Sequence, residues 1–67
     1  MMGKIKYIHR NGFLFITGDN DTEYFAHSTS FKQVFGFSDS KVNDRVSFST
    51  RKVEGKKNIE AYDIEKI

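Results

Sequence analysis

Two alternating apolar stretches separated by a polar break constrain this chain more than any other feature. Gly12-Phe13-Leu14-Phe15-Ile16 leads into Thr17-Gly18-Asp19-Asn20-Asp21-Thr22, and Tyr24-Phe25-Ala26-His27 follows. Strand side chains alternate between two faces, so Phe13 and Phe15 share one face and Leu14 and Ile16 the other. Phe25 and His27 likewise lie opposite Tyr24 and Ala26. The break is rich in turn formers, which predicts an antiparallel hairpin. One face of that hairpin carries Leu14, Ile16, Tyr24 and Ala26, and the other gathers Phe13, Phe15, Phe25 and His27. A small sheet cannot bury both faces equally, and the aliphatic set suffices to fill an interior. The rings are therefore expected on the outside, where a ring cluster beside positive charge can stack unpaired bases.

The chain's 67 residues make a single domain, 1–67, with a small core. There is no cysteine, hence no disulfide and no thiolate metal site, which fits a reducing compartment. No apolar run approaches the roughly 20 residues of a membrane span. Met1-Met2-Gly3-Lys4 lacks the apolar stretch of a signal peptide, so a cytoplasmic protein with no membrane partner is expected.

Lysine and arginine number 11 against 9 acids, a formal charge of +2, so the distribution of charge must carry any argument about partners. Lys4, Lys6, His9 and Arg10 gather near the first strand, and Arg51, Lys52, Lys56 and Lys57 gather late. Asp19, Asp21 and Glu23 crowd the hairpin turn. Either basic cluster alone equally suits an ordinary solvated surface. The aromatic residues decide more: 7 phenylalanines and 3 tyrosines exceed what so small a core hides, which indicates a working surface.

Residues 3–10 read as a strand whose alternation breaks at Ile8, so a bulge or bend is expected near Tyr7. Asn11-Gly12 is a turn dipeptide leading into the second strand. The third strand runs over about 23–27. Ser28-Thr29-Ser30-Phe31-Lys32 places cap-type residues before an apolar anchor, Phe31, enough for one helical turn. Residues 32–43 form a long connection carrying Phe35 and Phe37, rings that either plug a barrel end or reach toward a ligand. Residues 45–53 alternate, with Val46 and Phe48 on one face. After a turn at Glu54-Gly55-Lys56-Lys57-Asn58, residues 59–67 form the last strand. Its inward set is either Ile59 and Ala61 or Tyr62 and Ile64, with the second pair preferred. Five short strands, no proline and no long helical period predict an all-β, five-stranded antiparallel Greek-key barrel with one short helical turn after strand 3, since closure removes exposed edges.

These residues, taken in order, resemble a divergent cold-shock domain, an OB-fold barrel that binds single strands. Gly3-Lys4-Ile5-Lys6-Tyr7 is similar to that family's opening Gly-Lys-Val-Lys-Trp. Gly12-Phe13-Leu14-Phe15-Ile16 resembles its first ribonucleoprotein-type motif, and Tyr24-Phe25-Ala26-His27 its second. Val46-Ser47-Phe48 resembles strand four, and Val53-Glu54-Gly55-Lys56-Lys57 the later turn, where the family commonly carries a basic residue. The likeness spans nearly the whole chain at close to the right spacings. It departs at Tyr7, where the family has tryptophan, at Ile8 and Ser28, where further rings are usual, and at Leu14, which replaces a glycine. The turn at Arg10-Asn11 is also one residue short. With each base-ring stack contributing about 1–3 kcal/mol, the missing rings imply weakened binding.

The resemblance implies low-specificity binding of single-stranded RNA or DNA, in the manner of an RNA chaperone. Phe13, Phe15 and Phe25 would stack successive bases, with Tyr7 and His27 flanking them. Lys6, Arg10 and Lys57 would attract phosphates, and either Phe35 or Phe37 would supply a further ring from the connection. Each has a plainer reading as well: core packing for the rings, partial core packing for Tyr7, and solubility for the cations. No catalytic group, metal or cofactor is expected. His9 and His27 are the only histidines, no acid-His-Ser spacing recurs, and Asp19, Asp21 and Glu23 do not follow the EF-hand pattern. The competing reading is a protein-interaction module with weakened nucleic-acid binding, the same rings meeting a protein partner. The chain is expected to act as a monomer, with strand exchange between copies open to a barrel of this size.

Overall fold

The computed structural model describes residues 1–32 and 36–67, and their fold is all-β. The strands are β1 (Met2–His9), β2 (Phe13–Gly18), β3 (Glu23–His27), β4 (Arg45–Arg51) and β5 (Ile59–Lys66). They close into a five-stranded barrel, as expected from the sequence, in the order β1-β2-β3-β5-β4. The pairing is antiparallel at every seam but one. β3 meets β5 in parallel, through Tyr24↔Ile59 and Phe25↔Glu60. A single 3-10 turn, Ser28–Ser30, follows β3. Among the described residues no helix is long and apolar enough to cross a membrane.

The β2–β3 hairpin has the register its alternation demands: Phe13↔His27, Leu14↔Ala26, Phe15↔Phe25 and Ile16↔Tyr24. Leu14, Ile16, Tyr24 and Ala26 point inward and are buried, together with Ile5, Val46, Phe48, Ala61 and Ile64. Removing a large apolar side chain from water stabilises by about 1.5–3 kcal/mol, so this inner set is the main source of the barrel's cohesion. Tyr24 packs edge-on against Phe48, with ring centroids 5.2 Å apart. Its hydroxyl accepts from the Asn20 side-chain amide at 3.1 Å, so the turn satisfies the one polar tip of a buried ring.

Two bulges set which side chains face outward. In β1, Ile5 opposes Ile16 while Tyr7 opposes Phe15, so Lys6 is an extra residue. The strand bends near Tyr7 as expected, and the parity of its faces reverses there. Ile5 and Ile8 both turn toward the core, and Tyr7 and His9 both turn away from it. Earlier in β1, before the bend, Gly3 lies close against Thr17 and Gly18 of β2. A Cβ at Gly3 would press into the Thr17 carbonyl oxygen.

The second bulge corrects the expected inner set of β5. Tyr62 is not in the core; Ala61 and Ile64 are, with Ile59 packed against them. Ser49 opposes Tyr62 while Ser47 opposes Glu65, so the one intervening residue of β4, Phe48, faces two of β5, Asp63 and Ile64. Asp63 absorbs the excess in the left-handed region, at φ 50°. The core therefore uses both members of the first set, Ile59 and Ala61, and only Ile64 of the second. Tyr62 lies half-buried on the outside, with the Arg51 guanidinium 5.3 Å from its ring centroid.

Phe31 bridges to Ile64 and meets the Phe37 ring at 6.1 Å, and both rings pack against the core. Of the two roles open to the connection after the 3-10 turn, Phe37 takes the plug. Phe35 lies outside the described residues.

Two surface carboxylates tie loops to strands. Asp19 accepts from the Arg45 guanidinium at 2.9 Å, which holds its carboxyl below the usual carboxylate range. Asp44 accepts from the Lys41 backbone N–H at 2.9 Å, which lowers it likewise, with Lys66 assisting. A carboxyl lowered by folding stabilises the fold above its unfolded value, and that contribution is lost as pH falls through the lowered value. Stability should thus fall on the acid side, and Asp19→Asn with Asp44→Asn should flatten that limb of a urea-midpoint-versus-pH curve. High salt should weaken the Asp19 contribution, because the pair is exposed. For the core, Leu14→Ala should cost about 2–5 kcal/mol in urea unfolding. Phe15→Ala, one residue along and on the other face, should cost markedly less.

Candidate nucleic-acid interface

The outer face of β1, β2 and β3 carries a continuous run of rings. It follows from the registers: Tyr7 stands beside Phe15 and Phe15 beside Phe25, while His9 stands beside Phe13 and Phe13 beside His27. The Tyr7 and His9 rings lie 6.0 Å apart, edge to face. His9 and Phe13 stack at 4.6 Å with planes 8° apart. Phe13 then meets Phe15 at 6.0 Å and Phe25 at 5.5 Å, and Phe15 meets Phe25 at 5.8 Å. Such offset and edge contacts make the rings support one another's orientation. The three phenylalanines are half-buried because they cover each other's edges, whereas Tyr7 is 51% exposed and His27 is exposed.

His9 is a member of this face that the sequence reading passed over. The signal was available: once a bulge precedes Tyr7, residues 7 and 9 share a side and Ile8 leaves it. Ile8, at a position where the resemblance leads one to look for a surface ring, packs instead against the core. The face thus carries an imidazole at residue 9.

Local hydrogen bonds hold both imidazoles. The loop 10–12 is tight, with the Gly12 N–H donating to the His9 carbonyl at 3.1 Å and Gly12 at φ 100°, a region that favours glycine. The Asn11 N–H donates to His9 Nδ1 at 3.1 Å. On the other side of the hairpin, the Thr29 N–H donates to His27 Nδ1 at 3.2 Å, at the start of the 3-10 turn. Each Nδ1 is therefore an acceptor, which assigns the proton of the neutral ring to Nε2.

The expected cations are distributed unevenly. Lys6, the bulge residue, pairs with Glu23 at 2.8 Å, so part of its charge is already matched. Arg10 at the hairpin tip and Lys57 in the loop between β4 and β5 are exposed, and neither enters an ion pair among the described residues. Lys57 lines an open cleft of about 420 Å³ whose wall includes Phe25, Gly55, Lys56, Asn58 and Glu60. The cleft continues the ring face past β3 onto β5. Phe37 does not join that face, because it plugs the barrel end beside Phe31. Among the described residues no group of three or more histidines or acids could hold a metal ion.

No protein-family model matches the chain, and comparison with curated proteins returns no match.

The hydrogen bonds at His9 and His27 are open to direct test. Long-range 1H–15N correlation of the imidazoles, recorded where both are neutral, should show the Nε2–H tautomer for each. An Nδ1–H tautomer at either residue would contradict the arrangement of the loop that follows it.

Proposed function

We propose that this protein binds single-stranded RNA or DNA, with low overall sequence specificity, by stacking bases on the outer rings of β1–β3. The observation that carries the reading is the unbroken aromatic run from Tyr7 through His9 and Phe13 to Phe15 and Phe25, backed by a core that is already full without it. Every base has a π face, so such a surface accepts any of them. His27 at the edge of the run offers Nε2 to a base edge, and Arg10 and Lys57 stand at opposite ends of the run as phosphate contacts. Likeness of the motifs to a cold-shock domain supports the same reading.

Binding of this kind opens weak pairing without catalysis. A protein that holds the unpaired strand lowers the population of the paired form by mass action, which is how an RNA chaperone acts. The reading makes the protein a monomeric, cytoplasmic, non-enzymatic binder.

Titration of a labelled single-stranded oligonucleotide tests it. With two or three phosphate contacts, log K should fall against log salt with a slope of about −1 to −2. Duplex of the same sequence should bind more weakly. Phe15→Ala with Phe25→Ala should reduce single-strand affinity at least about tenfold, as expected for removing two stacks, while leaving the far-UV CD spectrum unchanged. Equal affinity for duplex, or no binding at micromolar protein, would favour a protein partner for the same rings.

A further inference from the structure

Glu60 is an unexpected residue beside a nucleic-acid surface. It pairs in register with Phe25 across the parallel seam, so its side chain rises from the same outer face as that ring. Its side chain is only 17% exposed, well below the other acids that form ion pairs on this barrel. Arg51 reaches one carboxylate oxygen and Lys56 the other, each at 3.4 Å. Those long contacts engage each oxygen once, and an ionised carboxylate oxygen accepts two hydrogen bonds. Both oxygens therefore retain acceptor capacity. Glu60 lines the open cleft of about 420 Å³ whose other walls include Phe25 and Asn58.

In the single-strand reading the base on Phe25 is the group that meets Glu60, because the two residues are register partners, and the phosphates are left to the exposed Lys57. A base stacked on Phe25 brings its edge to the side chain standing next to that ring. Guanine alone offers two adjacent donors on its Watson–Crick edge, N1–H and the N2 amine, which match the two oxygens of one carboxylate. Adenine and cytosine place a ring-nitrogen acceptor beside their single amine, and uracil and thymine flank one N–H with two carbonyls. Each of these would set an acceptor against the carboxylate. Unstacked bases are commonly read on this edge.

We propose that the cleft between Phe25 and Glu60 is a guanine subsite, with Phe25 stacking the base and the Glu60 carboxylate accepting from N1–H and N2–H. Arg51 and Lys56 hold the carboxylate in place, and Lys56 offsets its charge toward the flanking phosphates. The subsite rests on the single-strand reading above and adds one selective position to an otherwise tolerant surface.

The test is fluorescence anisotropy on the wild-type protein with short labelled oligothymidylates in which one position at a time is guanine, inosine or adenine. The best guanine-containing strand should bind about tenfold more tightly than the all-thymine strand, within the range a bidentate contact provides. Inosine keeps the ring and N1–H but lacks the N2 amine, so it should lose most of that gain. Adenine should show none. Glu60→Gln should abolish the guanine preference while keeping or raising affinity for the all-thymine strand. Strands that bind without a guanine preference, or a preference that survives in Glu60→Gln, would overturn the subsite and leave the single-strand reading standing. Failure of every strand to bind would overturn both.

Discussion

Everything on the outer face depends on the packing of Leu14, Ile16, Tyr24 and Ala26 inside the β2–β3 hairpin. These side chains, with those of β1, β4 and β5, leave no room in the interior for further rings. A strand residue displaced from one face has only the other to occupy, because a one-residue slip would exchange the two sets completely. The buried inner face thus both holds the barrel together and leaves Phe13, Phe15 and Phe25 on the outside. Stability and surface chemistry are consequences of one alternation.

That surface is not a set of isolated rings in water. The phenylalanines shield each other's edges and keep part of each face accessible, and the His9 imidazole lies flat against Phe13. In the proposed reading, a preorganised platform of this kind loses little side-chain entropy when a base settles on it, which offsets some of the stacking area lost by having tyrosine at residue 7 and serine at residue 28. The charges follow a different pattern from the rings. Lys6 is matched by Glu23, and Arg51 and Lys56 converge on Glu60, whereas Arg10 and Lys57, the other cations proposed to meet phosphate, enter no ion pair among the described residues.

Much of the fold was legible because period-2 alternation is a direct record of which face is buried. The hairpin register, the inner set of β2 and β3 and the bend near Tyr7 follow from it, and cap-type residues mark the turn at Ser28–Ser30. For β5 a strict period of two left two inner sets, Ile59 with Ala61 or Tyr62 with Ile64; at Asp63 a single residue at positive φ lets the strand bury Ala61 and then Ile64, and the preferred Tyr62 stays outside. In β1 the break at Ile8 shows in the sequence as a bend near Tyr7, but only the placing of the extra residue at Lys6 turns Ile8 in and His9 out. Glu60 was hidden for another reason. Its place beside Phe25 comes from the parallel β3–β5 seam, a contact between residues far apart in the chain that no local pattern encodes. For Phe37 the sequence left two roles open, and only the contact with Phe31 separates them.

The most direct test of the central claim is to observe the outer rings themselves while a strand binds. Aromatic 1H–13C NMR spectra with assigned Phe13, Phe15 and Phe25 should show upfield ring-current shifts at all three on addition of a single-stranded oligonucleotide. The methyl groups of Leu14 and Ile16, directly behind them, should stay nearly unmoved. Saturable binding that leaves the three phenylalanine rings unshifted, or that perturbs the Leu14 and Ile16 methyls more strongly, would contradict the account.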